Sequence, residues 1–347
     1  MASNENPSGP SPLAIEAAQR ELRSSNRYPD GGSHYLREKL AARYRLAMQQ
    51  VFVGLGSSEL IDLIARALLA PGLEGLTAER SYPPYAISIG ATGARLVTAP
   101  LRDYAYDLEA IARAITPQTR VIYLANPNNP TGTYFRAEGF EAFLTRVPDH
   151  ALVVVDEAYC DYVEDQDYSR AIDQVRAGRH NLAVLRTFSK VYGLAGLRIG
   201  YGLGPADLFE ELSKLKTPFN TAGIGQAAAI AALDDSEHVR RSIERNRAGR
   251  AHIENGLAAA GMSFVPSATN FVFVEAGGDG DALAHQLLLE GVIVRPMRWM
   301  GFPEAFRVSV GTSEENAKFL DVLARVRERA KPAAVHEVQS RSEAREL

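Results

Sequence analysis

Three short apolar runs rich in β-branched residues, at positions 120–125, 151–155 and 182–186, alternate with longer segments whose apolar residues recur every three or four positions. The runs predict buried strands and the longer segments amphipathic helices, so the middle of the chain reads as an α/β layered sheet. Leu60, Ile61, Ile64, Ala67 and Leu68 share one helical face, with Ser57 or Ser58 as the cap and Pro71-Gly72 as the stop. Residues 236–260 carry Val239, Ile243, Ile253 and Leu257 in a long helical pattern that ends at Gly261 and could bridge two domains. Beyond it, strands are expected at 270–274, 292–295 and 306–310 around a helix through Leu283, Leu287 and Leu288. The expected division is an N-terminal arm at 1–32, a large domain at 33–235, a smaller α/β domain at 236–330 and a tail at 331–347. The tail is charged and holds few apolar residues, so it is expected to be disordered.

Composition narrows the function classes. With 347 residues, 46% apolar and 23% charged, the chain can bury a sizeable core, and its length favours two domains over one. A formal net charge of -4 leaves no basic surplus for a phosphodiester backbone, and no basic helix-turn-helix flanks the core, so nucleic acid is not an expected partner. The single cysteine, Cys160, excludes an internal disulfide, and no histidine pair has helical metal-ligand spacing, so no metal site is expected. The first residues lack the basic and apolar segments of a leader, and no apolar run could span a bilayer. A cytoplasmic protein with no membrane partner is the expectation.

Chemistry concentrates in three places. Arg186-Thr-Phe-Ser-Lys190-Val-Tyr-Gly-Leu-Ala-Gly-Leu-Arg198 follows a predicted strand and suits a phosphorylated aldehyde cofactor. Lys190 can form an imine with an aldehyde. Thr187, Ser189 and Arg198 can hold a phosphate by charge-assisted hydrogen bonds, while Gly193 and Gly196 let backbone approach closely. Val153-Val-Val-Asp156-Glu-Ala-Tyr159 puts Asp156 where an apolar strand ends, the edge at which α/β sheets present ligand-binding groups; it could pair with a pyridinium nitrogen or cap a turn. A third strand runs into Asn126-Pro-Asn-Asn129-Pro-Thr-Gly132, a rigid turn from which Asn129, with the Tyr159 hydroxyl, could donate to a phenolate oxygen. Gly54-Leu-Gly56-Ser57-Ser58 opens a helix whose free N–H groups could cradle phosphate, though such caps also occur without a ligand. Tyr82, in Ser81-Tyr-Pro-Pro-Tyr85, could stack on a pyridine ring or simply pack.

The three motifs, in this order, resemble the class I and II aminotransferases. The resemblance runs from Ala2-Ser-Asn-Glu-Asn-Pro7 and Arg27-Tyr28-Pro29 to Phe306-Arg307-Val-Ser-Val-Gly-Thr312, and so covers nearly the whole chain except the tail. Among subfamilies it looks most like the histidinol-phosphate aminotransferases. The resemblance implies the fold type I of pyridoxal 5'-phosphate (PLP) enzymes: a large domain with a central, mostly parallel sheet flanked by helices, and a smaller α/β C-terminal domain. It makes Lys190 the Schiff-base lysine, Asp156 the pyridinium partner, Asn129 and Tyr159 the phenolate-oxygen donors and Tyr82 the stacking ring. Ser57, Ser58, Thr187, Ser189 and Arg198 would hold the phosphate, with Tyr28 reaching the neighbouring site of a homodimer. Arg307 would grip the α-carboxylate of glutamate, Arg295 the substrate phosphate, and Asn6 would close over the substrate.

The implied reaction is amino transfer between glutamate and imidazole-acetol phosphate, giving 2-oxoglutarate and histidinol phosphate, by a ping-pong cycle in histidine biosynthesis. Two rivals share the scaffold: an aromatic amino acid aminotransferase and a threonine-phosphate decarboxylase. Two departures from the pattern stand out. Relatives usually carry a further segment ahead of Asn-Glu-Asn-Pro, so dimer contacts or a lid could be missing, and residues 75–80 make a poor strand ahead of Tyr82.

Overall fold

The computed structural model describes residues 1–330; the expectation for 331–347 lies outside them. Its strands in chain order are β1 (Val51–Gly54), β2 (Glu74–Ala78), β3 (Arg95–Ala99), β4 (Leu101–Arg102), β5 (Ala105–Tyr106), β6 (Thr119–Ala125), β7 (Leu152–Asp156), β8 (Leu182–Thr187), β9 (Gly200–Leu203), β10 (Phe264–Val265), β11 (Phe271–Glu275), β12 (Arg295–Pro296) and β13 (Ala305–Ser309). Seven of them form one sheet in the order β1-β9-β8-β7-β6-β2-β3, with β9 antiparallel to its neighbours β1 and β8 and every other pairing parallel. Four others form an antiparallel sheet, β10-β11-β13-β12.

Helices cover the large sheet, as the buried runs require: a parallel sheet hides both faces, so β6, β7 and β8 read as near-continuous apolar segments. The same topology aims the carboxyl ends of β1, β2, β6, β7 and β8 at one edge, where ligand-binding groups collect.

The helix Ser236–Ala259 spans two cores. Its Val239 and Ile243 pack against the large-sheet core, while Ile253 and Leu257 are buried with Val272, Phe306 and Phe319 of the small-sheet core. Asp235 caps its start by accepting from the His238 amide, and Gly261, at φ +65°, follows its end.

Three local expectations are corrected. Residues 74–78 are a fully buried strand between β3 and β6. Gly75, poor by propensity, is needed there because a Cβ would come within 2.5 Å of Ile89 on the helix Pro84–Ala91 above it. The valine run at 292–295 gives a strand only at Arg295–Pro296. The Val292 amide is spent on the Leu287 carbonyl, closing the preceding helix around Gly291 at φ +77°, so it cannot join a ladder. Finally, the helix Ser57–Leu68 has Gly56 at its N-cap position, at φ +78°, and no side-chain cap; the two serines are its first residues.

Candidate active site

Each strand end delivers one kind of group. After β6, Asn126 accepts from the Phe135 amide (2.9 Å), and Asn128 accepts from Ser81 Oγ (2.8 Å) while donating to Thr131 Oγ1 (2.9 Å). Those bonds fix the turn and leave Asn129 lining the cleft, its Oδ1 accepting from Arg307 Nη1. The amide nitrogen of Asn129 is thereby turned into a donor for a ligand.

After β7, Asp156 is 5% exposed. Its Oδ2 accepts from the Tyr85 hydroxyl (3.1 Å) and its Oδ1 from the Ala158 amide (3.2 Å). Burial pushes its carboxyl up to about 6, against the opposing pull of Tyr85, Ala158 and the Lys190 charge. The adjacent Glu157 is occupied elsewhere, bonded to Arg186 at 3.0 and 2.6 Å, so Asp156 is the carboxylate facing the cleft.

After β8, Thr187 Oγ1 accepts from the Ser189 amide (3.0 Å), and Lys190 projects into the cleft. Lys190 Nζ donates to the Asn4 carbonyl (3.2 Å) and lies 5.4 Å from the centre of the Tyr159 ring. The Tyr159 hydroxyl accepts from Asn4 Nδ2 (3.0 Å). Gly193, at φ +70°, lets this loop meet the N-terminal segment: a Cβ would lie 2.3 Å from the Gly9 carbonyl oxygen. Gly196 has no such neighbour, so close approach explains only the first of the two glycines.

After β1, the helix Ser57–Leu68 begins at the same cleft, and the Arg198 guanidinium reaches its start, 3.0 Å from where a Gly56 Cβ would stand. Amides, Ser57 and Ser58 hydroxyls, Ser189 and an arginine make a donor set for a dianion such as phosphate. Tyr82, beyond β2, is held by a bond between its hydroxyl and Ser58 (3.1 Å) and presents its ring to the cleft.

The small sheet supplies the opposite wall. Arg295 and Arg307 face each other across the β12–β13 pair, and neither has a carboxylate partner among the described residues. Arg307 is 7% exposed, donates to the Ala2 carbonyl (3.1 Å) and leaves Nε unpartnered; burial, with the Arg295 charge opposite, pushes its pKa down. Two facing cations with no counter-ion call for an anionic ligand.

The cleft enclosed by these groups measures about 630 Å³ and is lined by Ser57, Ser58, Tyr82, Asn129, Asp156, Tyr159, Thr187, Ser189, Lys190, Arg198, Arg295 and Arg307. Two expected residues lie outside it. Asn6 donates to the Val191 carbonyl (2.9 Å) and Ser242 (3.2 Å) and accepts from the Ser8 amide, so its side chain anchors the Asn-Pro-Ser-Gly turn; Asn4 takes the inward position. Tyr28 is 81% exposed and stacks on Phe219 at 4.6 Å, away from the cleft of its own chain.

Sequence reasoning passed over Tyr85, as it did Asn4. Tyr85 is fully enclosed, lies parallel to Tyr123 at 5.1 Å, and directs its hydroxyl at Asp156. Tyr85→Phe is expected to raise the Asp156 pKa by about one further unit, the worth of a hydrogen bond to a charged group. In a pH titration the acidic limb of activity would then move upward with the alkaline limb fixed; an unmoved limb rules the tuning role out.

The family described as Aminotransferase class I and II matches residues 1–323. Histidinol-phosphate aminotransferase 2 of Pseudomonas aeruginosa is 46% identical over 327 residues, 94% of this chain and 88% of that protein. Histidinol-phosphate aminotransferase 1 of Nitrosococcus oceani is 44% identical over 328 residues, with the same coverage. Among solved structures, histidinol-phosphate aminotransferase from Sinorhizobium meliloti in complex with pyridoxal-5'-phosphate superposes with a TM-score of 0.89 at 31% identity, covering 95% of this chain and 90% of that one.

Proposed function

The chain belongs to the class I and II aminotransferase family, and from that premise we propose that it carries PLP and moves an amino group between glutamate and imidazole-acetol phosphate, forming histidinol phosphate. The observation that carries this reading is a cleft in which one lysine and one buried carboxylate face two arginines that have no counter-ion. The donor set fits the cofactor group by group. Arg198, the serines at 57, 58 and 189, Thr187 and the helix amides would hold its phosphate, Tyr82 would cover its ring, and Asn129 and Tyr159 would donate to its phenolate oxygen; all of these side chains line the cleft.

Bound PLP supplies an aldehyde that captures amines and a protonated ring that accepts the electrons released at the substrate α-carbon. Asp156 keeps the ring nitrogen protonated, and its burial strengthens that pairing. With the cofactor bound, Lys190 would anchor it, and its amine, once free, would take and hold the proton of the substrate α-carbon. Arg307 binds the carboxylate of glutamate, and Arg295 with Arg307 binds the phosphate of histidinol phosphate. Tyr28 belongs to the neighbouring site of a homodimer, where its exposed ring finds a partner. The catalytic groups lie on a large domain at 33–235 and the arginines on a small one at 236–330.

Single-turnover titration of the PLP-loaded protein tests the reading. Histidinol phosphate should convert the cofactor to its amine form at far lower concentration than phenylalanine. A preference for phenylalanine moves the protein to the aromatic aminotransferases, and release of carbon dioxide from threonine phosphate moves it to the decarboxylases. Arg295→Ala should raise the KM for histidinol phosphate by about 10- to 100-fold, the range of one charge-assisted bond, and disturb glutamate much less. Equal losses for the two substrates would take the phosphate away from Arg295.

A further inference from the structure

Trp299 is the only tryptophan of the chain, and at 62% exposure it lines the same cleft as Arg295. Everything around it is anchored. Met297 and Met300 are buried in a small core with Phe302, and Arg298 is paired with Asp279 (2.9 Å) and Asp281 (2.5 Å). Gly301, at φ +84°, ends the single helical turn Arg298–Met300 on which Trp299 sits. The indole N–H is already donated to the Pro296 carbonyl (3.0 Å). What the ring offers the cleft is therefore its apolar surface and π face, in a lining that also contains Arg295. Exposed apolar residues elsewhere on the surface need no ligand; what sets Trp299 apart is that its exposed ring lines the cleft.

We infer that Trp299 is a specificity residue that reads a flat heteroaromatic ring on one arm of the substrate while Arg295 reads the phosphate on the other. The inference rests on the function proposed above and deepens it by assigning the substrate's ring to a residue of its own. Aliphatic phosphate esters of the same charge satisfy Arg295 but leave the indole bare.

The test compares the PLP-loaded wild-type protein with Trp299→Ala and Trp299→Phe, measuring kcat and KM for histidinol phosphate, O-phosphothreonine and glutamate. The alanine variant should raise the KM for histidinol phosphate by about 5- to 10-fold, the worth of one aromatic pair, with kcat and the glutamate KM unchanged and most of the loss recovered by phenylalanine. Because the chain has one tryptophan, indole emission reports on this ring alone. It should change on saturation of the wild-type protein with histidinol phosphate and not with O-phosphothreonine. An alanine variant that leaves the histidinol phosphate KM unmoved, or that shifts both phosphate esters equally, overturns the inference; the glutamate half-reaction shows that the variant is folded. Failure of the wild-type protein to turn over histidinol phosphate overturns the parent reading instead, before any variant is made.

Discussion

Replacing Lys190 with alanine is expected to lower amino transfer by at least about 10⁴-fold, because one side chain supplies both the covalent anchor and the proton shuttle. Lys190 is the only lysine lining the cleft, so no neighbouring amine can substitute for it among the described residues. The side chain ends in the cleft, with a single bond to the Asn4 carbonyl, and its removal empties no core position. The thermal transition of the cofactor-free protein should therefore stay within a few degrees of wild type. The visible absorption of the lysine-linked cofactor should vanish, and small amines added to the buffer should recover part of the proton transfer. Retention of the absorption band in the alanine variant would remove Lys190 from its assigned role.

Asp156→Asn is expected to act in two opposite directions. The amide cannot hold the ring nitrogen protonated, so kcat should fall by about 10²- to 10³-fold, the scale of losing one preorganised electrostatic partner. Stability of the cofactor-free protein should rise instead. The carboxyl ordinarily titrates at 3.8 and is raised to about 6 here, chiefly by burial. The folded protein thus binds that proton more tightly than the unfolded chain does. Holding the carboxylate charged costs nothing below about pH 4, increasingly more between the two values, and its full amount above about pH 6. A shift of this size corresponds to about 3 kcal/mol at most. Asparagine removes the charge and still accepts from Tyr85, so denaturant unfolding should show a gain above pH 6 and none below pH 4. A variant less stable at both ends of the range would mean that the carboxylate is favourably solvated where it stands.

Lys190, Asp156 and Asn129 were legible because each follows an apolar run by a residue or a few. The periodicity places β6, β7 and β8 within a residue of their observed ends, and a parallel sheet then fixes which edge receives what comes next. What the chain hid had physical reasons too. β2 is a strand because two neighbours pair with it and a helix lies against Gly75, influences that no local propensity carries. The valines at 292 and 294 fill the small core from a loop, and burial of this kind is indistinguishable from a strand pattern in one dimension. In Asn-Glu-Asn the two asparagines are chemically equal, and only the turn at Ser8 and Gly9 decides that Asn6 is spent on backbone while Asn4 faces the cleft. Nothing in the Ser81-Tyr-Pro-Pro-Tyr85 motif marks Tyr85; it packs on Tyr123, and only the position of β7 brings its hydroxyl to Asp156.

Lys190 and Asp156 follow strands of the large sheet and Arg295 and Arg307 sit in the small one, and Ser236–Ala259 is packed into both cores. That helix is a ruler. Gly249 and Gly256 lie so close to Val310, just past β13, and to Leu320, on the helix Ser313–Ala330, that a Cβ would stand 2.6 and 2.4 Å from them, so bulk at either position would press on the elements that carry the small sheet. The gap between Lys190 and the arginine pair is thus written partly in two glycines outside the cleft. Substrate length can drift in evolution through the packing of a remote helix, with every residue that meets the ligand left as it is.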